Sequence, residues 1–450
     1  MSKRSVRLFR SIGGLVTVWL VAIGGAAVSL TESLADEIKR VDVAKSDAPF
    51  GAMQRREPGS TEWKPIGADE IIKSGDLIVG LPGASVISLN GSVDLDFLVD
   101  LDQRSPSVIF EAAIVLNPIG KDEGIDMDLT LDRGRIDLTN IRKQGKARVR
   151  VRFHDQQWLL DLNEPGTRVA LELAGRIAPG ACFEQRPERP EPPIAQMSLL
   201  VLKGDANLHT ADTTWALQQP PGPSLIVWSN HDALPLRPFK LAKLPDWATP
   251  NKDLSPEAKK IEAAIDELRK LRQTKSAREC TDIFFKSGDP IKQRIAMVSM
   301  AALDDLDRLG DVLANATNPE VWDKGIIILR HWLGRNDQQE QRFYKFLVEQ
   351  RKFTPAHAET VLTLCHSFGE RDTVCPDTYD VLIEYLKHPN QAVRNLSAWH
   401  LRRLVAAGSN IPYNPQGTPE EFEQTYRAWR ELIPSGQLPP RGENPKKAGN

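Results

Sequence analysis

Cysteine is scarce in this chain. Only Cys182, Cys280, Cys365 and Cys375 occur in 450 residues, and no two stand as C-x-x-C. That excludes zinc-ribbon and thioredoxin-like chemistry. The local signatures of common catalysis are missing as well. There is no G-x-S-x-G elbow, no H-E-x-x-H, no Walker A loop and no G-x-G-x-x-G after a strand. Neither sign of charge dominates: 58 basic side chains face 60 acidic ones, for a net charge of -2. The chain therefore lacks the basic footprint of a nucleic-acid binder and has no long acidic tail.

What remains is ordinary globular composition, 41% hydrophobic and 26% charged. The length suits two or three domains of ~100–200 residues each. Pro and Gly are both frequent, as expected of a turn-rich β region with proline-rich connections.

The N-terminus points out of the cytoplasm. Lys3, Arg4, Arg7 and Arg10 precede residues 12–30, IGGLVTVWLVAIGGAAVSL, a run without a charge. Basic residues ahead of an apolar run are the pattern of an export signal, and Ser33-Leu34-Ala35 offers small residues for cleavage before Asp36. The alternative is an uncleaved membrane anchor over residues 12–30, since ~20 apolar residues can span a bilayer. Either way residues 36 onward are expected outside the cytoplasm, in the periplasm or cell envelope. In that oxidising setting Cys365 and Cys375 could pair; otherwise they are two small buried hydrophobes.

Residues 36–235 carry a period of two. The stretch SVISLNGSVDLDF alternates apolar and polar residues on both sides of Asn90-Gly91, the strongest hairpin signal in the chain. DMDLTLDRGRIDLTN alternates around Asp132-Arg133-Gly134, and ARVRVRF sets Val149, Val151 and Phe153 opposite Arg148, Arg150 and Arg152. The units SLNGSVDL, TLDRGRIDL and VLKGDANL share one plan: apolar-x-apolar, a glycine turn, apolar-x-apolar. About ten short strands with turns every ~8–12 residues predict an antiparallel β-sandwich or β-roll.

GDLIVGLPGASVISLNGSVDLDF and DLTLDRGRIDL resemble the strand–glycine turn–strand pattern of the FecR-type domain, over about residues 63–173. The resemblance implies an exported β domain. Family members that relay an extracytoplasmic signal to a sigma factor carry a cytoplasmic segment ahead of their membrane helix. Here about eleven residues precede the apolar run, too few to fold alone, so sigma-factor regulation is not expected.

The proline-rich residues 183–196 read as a loop within the β domain, and residues 236–254 as a linker. At Ser255 the period changes. Ser255-Pro256-Glu257 is a helix start, followed by Ile261, Ala264, Ile265, Leu268 and Leu271 on one face. Further helices are expected at about 289–303, 306–314, 319–333, 338–351, 355–367, 377–388, 390–407 and 419–432. DPIKQRIAMVSMAAL and NQAVRNLSAWHLRRL resemble HEAT-type repeats. Residues 255–434 are thus expected to form a HEAT-like α-solenoid or a helical bundle, and residues 435–450 a disordered tail. The fold class is multidomain β plus α.

Three groups of residues offer chemistry. Asp94, Asp96 and Asp100 follow the hairpin turn closely. A calcium loop needs converging oxygens, but Asp94 and Asp96 alternate with Val93, Leu95 and Phe97 on a strand, which predicts a solvated acidic face. The row Arg148, Arg150, Arg152 could lie across from it. His154 beside Asp155 reads as a polar turn, and His366 and His400 as helix-packing residues. No residue is nominated as catalytic, cofactor-binding or metal-ligating, and no cofactor is expected. The sequence predicts a non-enzymatic envelope protein that binds protein partners or envelope polymers and no nucleic acid. Alternatives are an anchored signal sensor, or an enzyme acting on extracellular polysaccharide or peptide.

Overall fold

The computed structural model describes residues 40–81, 83–98, 111–120, 123–181, 183–184, 192–231, 235–249, 255–315 and 318–440. The export signal and candidate anchor, Asp100, Cys182 and residues 441–450 lie outside these. From Arg40 onward the described residues belong to one unit.

Seventeen strands occur among the described residues: β1 (Asp42–Ser46), β2 (Met53–Arg56), β3 (Lys64–Pro65), β4 (Ile71–Lys73), β5 (Leu77–Gly80), β6 (Ala84–Ser88), β7 (Val93–Leu98), β8 (Ala112–Leu116), β9 (Met127–Asn140), β10 (Ala147–Phe153), β11 (Gln156–Leu162), β12 (Arg168–Arg176), β13 (Ile194–Lys203), β14 (Asp205–His209), β15 (Thr214–Gln218), β16 (Gly222–Ser229) and β17 (Pro238–Leu241). They pair as two sheets that share β9. The first runs β4-β1-β6-β7-β9-β12-β13-β16-β17. The second runs β3-β2-β5-β8-β9-β10-β11-β14-β15. Every recorded pairing is antiparallel except that of β9 with β10. The alternation read from the sequence feeds one core. Val93, Leu95 and Phe97 of the first sheet bury in the same cluster as Leu129, Val149, Val151 and Trp158 of the second.

The three glycine units do not all turn the same way. Asn90-Gly91 closes a hairpin within the first sheet. The Gly91 amide donates to Ser88 O (2.8 Å), and the Ser88 hydroxyl accepts from the Ser92 and Val93 amides (3.0 Å each). Gly91 alone of the pair takes a positive φ, +64°. Gly134 and Gly204 instead mark passages between sheets. The expected turn at Asp132-Arg133-Gly134 is a bend inside a single 14-residue strand. Residues 127–133 of β9 pair with β8 and β10, and residues 134–140 with β7 and β12. Gly134 has φ +85°, and a Cβ there would stand 1.9 Å from Glu111 O. Gly204, at φ +75°, joins β13 of the first sheet to β14 of the second. Gly91→Ala, by contrast, meets open space. It should cost only the left-handed backbone penalty, about 1 kcal/mol by urea denaturation.

The helical region comprises α1 (Pro256–Arg272), α2 (Ala277–Lys286), α3 (Pro290–Ala302), α4 (Leu306–Asn315), α5 (Pro319–Leu333), α6 (Gln339–Lys345), α7 (Pro355–Cys365), α8 (Glu370–Thr373), α9 (Pro376–Glu384), α10 (Gln391–Leu404) and α11 (Pro419–Leu432). The start signals are local. Ser255, Asp289, Asn318, Thr354, Asn390 and Thr418 each accept a backbone N–H from the first turn, and five of these helices open with proline. Helix α2 was not among the expected ones, although Ser276 and Glu279 form a capping box at its start. One apolar cluster joins Ile261, Phe284, Met297, Trp332, Leu362, Leu382 and Trp429 across the region.

The multidomain β plus α class therefore holds. Within the span read as a linker, β17 adds an edge strand to the first sheet, and Trp247 lies 3.9 Å from the Arg135 guanidinium. Ser435 and Gly436, read as tail, bond to Asp380. Cys280, Cys365 and Cys375 are free thiols, so the Cys365–Cys375 bridge does not form. Cys365 is buried, and burial pushes its thiol up to about 12.

Candidate functional site at the junction of sheets and helices

The bend at Gly134 places Arg133 where the sheets meet the helices. Arg133 Nε donates to Glu111 Oε1 at 2.6 Å, and its Nη2 donates to Ala302 O at 2.9 Å. From the other side Arg335, two residues beyond α5, bonds the same Glu111 oxygen and donates to Ala301 O at 2.9 Å. Burial alone would push the Glu111 carboxyl up. The two guanidinium groups outweigh it and hold the carboxyl below its ordinary value.

Asp304 is the second anion of the junction. It follows α3 at φ +57°, a conformation uncommon outside glycine. Its Oδ1 accepts from Trp332 Nε1 (3.1 Å) and Arg335 Nη1 (3.4 Å), and its Oδ2 from Arg56 Nη1 on β2 (3.2 Å). Arg56 also lies 5.0 Å from the Trp63 ring, while Trp63 Nε1 donates to Leu303 O at 2.9 Å. His331 lies half-buried beside these cations, and desolvation lowers it to about 4, so it is neutral at pH 7.

Two further contacts close the junction. Gly175 of β12 and Gly334 meet backbone to backbone; a Cβ on Gly175 would stand 2.2 Å from Gly334 O. Beyond β12, the Gly180 amide donates to Ser367 O (2.7 Å), and Phe183 stacks on Tyr344 at 5.4 Å. His366 packs there, at the interface rather than as a ligand. Its Nδ1 faces Ala181 O at 2.8 Å and its Nε2 faces Glu340 Oε1 at 2.5 Å.

The residues singled out from the sequence lie elsewhere. His154 occupies the β10–β11 turn at φ +46°, its ring 5.8 Å from that of Trp228. His400 is buried against Leu364 O (2.6 Å), and burial pulls it down to about 3. The arginine row does not oppose Asp94 and Asp96, because β9 bends between them and puts β10 in the second sheet. Arg148 pairs with Asp161 (2.7 Å), and Arg150 and Arg152 pair with Asp128 (2.9 Å each).

Asp94 and Asp96 are partly buried rather than fully solvated. Asp96 sits directly opposite Asp137 of β9, and Arg168 of β12 pairs with Asp137 at 2.5 Å. Burial, then Asp96 and Asp47, push Asp94 up to about 6; burial raises Asp137 to about 6 against the pull of Arg168. No group of three or more His, Cys, Asp or Glu side chains suited to a metal ion occurs among the described residues.

A carboxyl raised on folding binds more protons in the native state, so it contributes stability at low pH that is lost as pH rises from about 4 to about 6. Asp94→Asn should remove that loss. The expected gain is about 1–2 kcal/mol at pH 7, discounted for partial exposure, and none at pH 4. Thermal unfolding across that range measures it; an equal gain at both pH values would contradict the assignment.

Glu111, Arg133, Asp304 and Arg335 were not singled out from the sequence. Their one signal was charge inside a strand pattern, Arg133-Gly134-Arg135, where alternation calls for a sheet face. Comparison of the chain with protein-family models, with curated proteins and with solved structures returns no match. Among the described residues no helix is long and apolar enough to cross a membrane.

Proposed function

We propose that this chain is a non-enzymatic, exported cell-envelope protein. It presents a FecR-like β domain and a HEAT-like helical domain as one body, and binds protein partners or envelope polymers. The observation that carries the reading is the junction. Its carboxylates, the buried Glu111 and the half-buried Asp304, are engaged by guanidinium groups from both regions. Charges committed in this way fix geometry, and a fixed relative geometry is what a binding scaffold needs.

Expression in a bacterial cell, with fractionation and mass spectrometry of the recovered N-terminus, tests the export half. A chain starting at Asp36 outside the cytoplasm is expected. A full-length chain in the soluble cytoplasmic fraction would overturn it, and a full-length chain in the membrane fraction would favour the anchored sensor.

One observation favours a second reading, an enzyme acting on extracellular polysaccharide or peptide. Asp94, Asp96 and Asp137 come from two adjacent strands, and burial raises all three above the ordinary carboxylate value, as a general acid requires. Release of reducing ends or peptides from cell-wall material, abolished in Asp96→Asn, would establish it.

A further inference from the structure

Residues 141–153, IRKQGKARVRVRF, hold six cations and no acidic residue, in a chain of net charge -2. The strand period sorts them. Ala147, Val149, Val151 and Phe153 enter the β core, so Arg148, Arg150 and Arg152 stand on the outer face of the second sheet. Successive arginines are ~6.8 Å apart along β10. Lys146 extends the row, because it shares Asp161 with Arg148. Strand β10 lies between β9 and β11, so the row follows the interior of the sheet and not its edge. The helices cover another part of this face, where Ala302 of α3 packs on Val79 of β5 and Ala113 of β8.

The charges of this ridge are layered. The carboxylates lie beneath: the Asp126, Asp128 and Asp161 side chains are at most 6% exposed. The cations lie above them: Lys146, Arg152 and Arg142 are 51%, 39% and 38% exposed. With the exposed Lys143, six cations stand over these three carboxylates and the exposed Glu123, so the outward face keeps a surplus of positive charge. The buried carboxylates also hold the guanidinium groups in place, which leaves little side-chain freedom to lose on binding. A straight row of fixed, evenly spaced cations is complementary to a linear polymer with anions at regular intervals. A compact anion requires cations converging on one point, and a lipid surface requires apolar side chains beside them; this row is flanked by the polar Gln157 and His209. We propose that the β10 ridge binds an anionic polysaccharide of the cell envelope through its carboxylates, an inference that rests on the envelope reading above and names the polymer class. Guanidinium forks suit carboxylates in particular.

Titration of the purified full chain with polygalacturonate tests this, with neutral dextran, single-stranded DNA and polyglutamate as controls. Purified chain makes the result independent of where a cell delivers it, so a failure here and a failure of export are told apart. Saturable binding to polygalacturonate is expected, at least about tenfold weaker at 200 mM than at 20 mM salt. Lys143→Gln, Lys146→Gln and Arg152→Gln combined should weaken it at least about tenfold with the circular dichroism unchanged. Asp161 keeps Arg148 and Asp128 keeps Arg150 in that variant. In the unsubstituted chain, polygalacturonate should slow acetylation of Lys143 and Lys146 relative to the exposed Lys259 and Lys260 of α1. No binding, equal binding to dextran, an unaffected variant or equal acetylation at all four lysines would overturn the ridge. Equal affinity for DNA or polyglutamate would overturn the polysaccharide as its ligand.

Discussion

Glu111→Ala should destabilise the protein by about 3–5 kcal/mol, because it removes the carboxylate shared by two guanidinium groups at a buried site. Arg133 would keep Asp132 and Arg335 would keep Asp304, but both would lose the anion that lies between them. The pH dependence carries its own sign. A carboxyl held down on folding contributes stability above its unfolded value, near 4.5, and that contribution is lost as pH falls further. The wild-type protein should therefore weaken below pH 4, and Glu111→Ala should flatten that acid limb. Urea denaturation at pH 7 and pH 3.5, followed by tryptophan fluorescence and far-ultraviolet circular dichroism, measures both effects. A loss under 1 kcal/mol at pH 7 would mean that the network is not buried in solution.

Gly175→Val should cost about 3 kcal/mol or more, by a different route. At Gly175 the backbone of β12 runs against that of Gly334, so a side chain there can be accommodated only by moving whole elements apart. Even alanine should be poorly tolerated, in contrast to the mild Gly91→Ala at an open turn. The expected readout is a lowered midpoint with the transition split in two, the sheets and the helices unfolding separately. A single unshifted transition would show that this contact does not hold the two regions together.

How far the sequence foretold this structure depends on the range of the interactions involved. Val93, Leu95 and Phe97 alternate with polar residues within five positions, so their burial follows from local geometry. The proline-led helix starts are equally local. The passage of β9 from one sheet to the other is not. Asp132-Arg133-Gly134 also satisfies the pattern of a hairpin turn, if more weakly than Asn90-Gly91, and only its pairing partners show that it is not one. The same limit applies to the candidate site. Glu111 and Arg335 are 224 positions apart, and no periodicity links them. It also explains the displaced arginine row: Arg148, Arg150 and Arg152 face charge as expected, but their partners come from β9 and β11 instead of β7.

The sharing of β9 has a mechanical consequence. Two separate sheets packed face to face can slide or peel apart while each stays intact. Here the covalent backbone of one strand is stitched through both. A tension applied along β9 loads β8 and β10 at one end and β7 and β12 at the other. The β region should therefore resist opening until strand pairs shear, and then yield in one step.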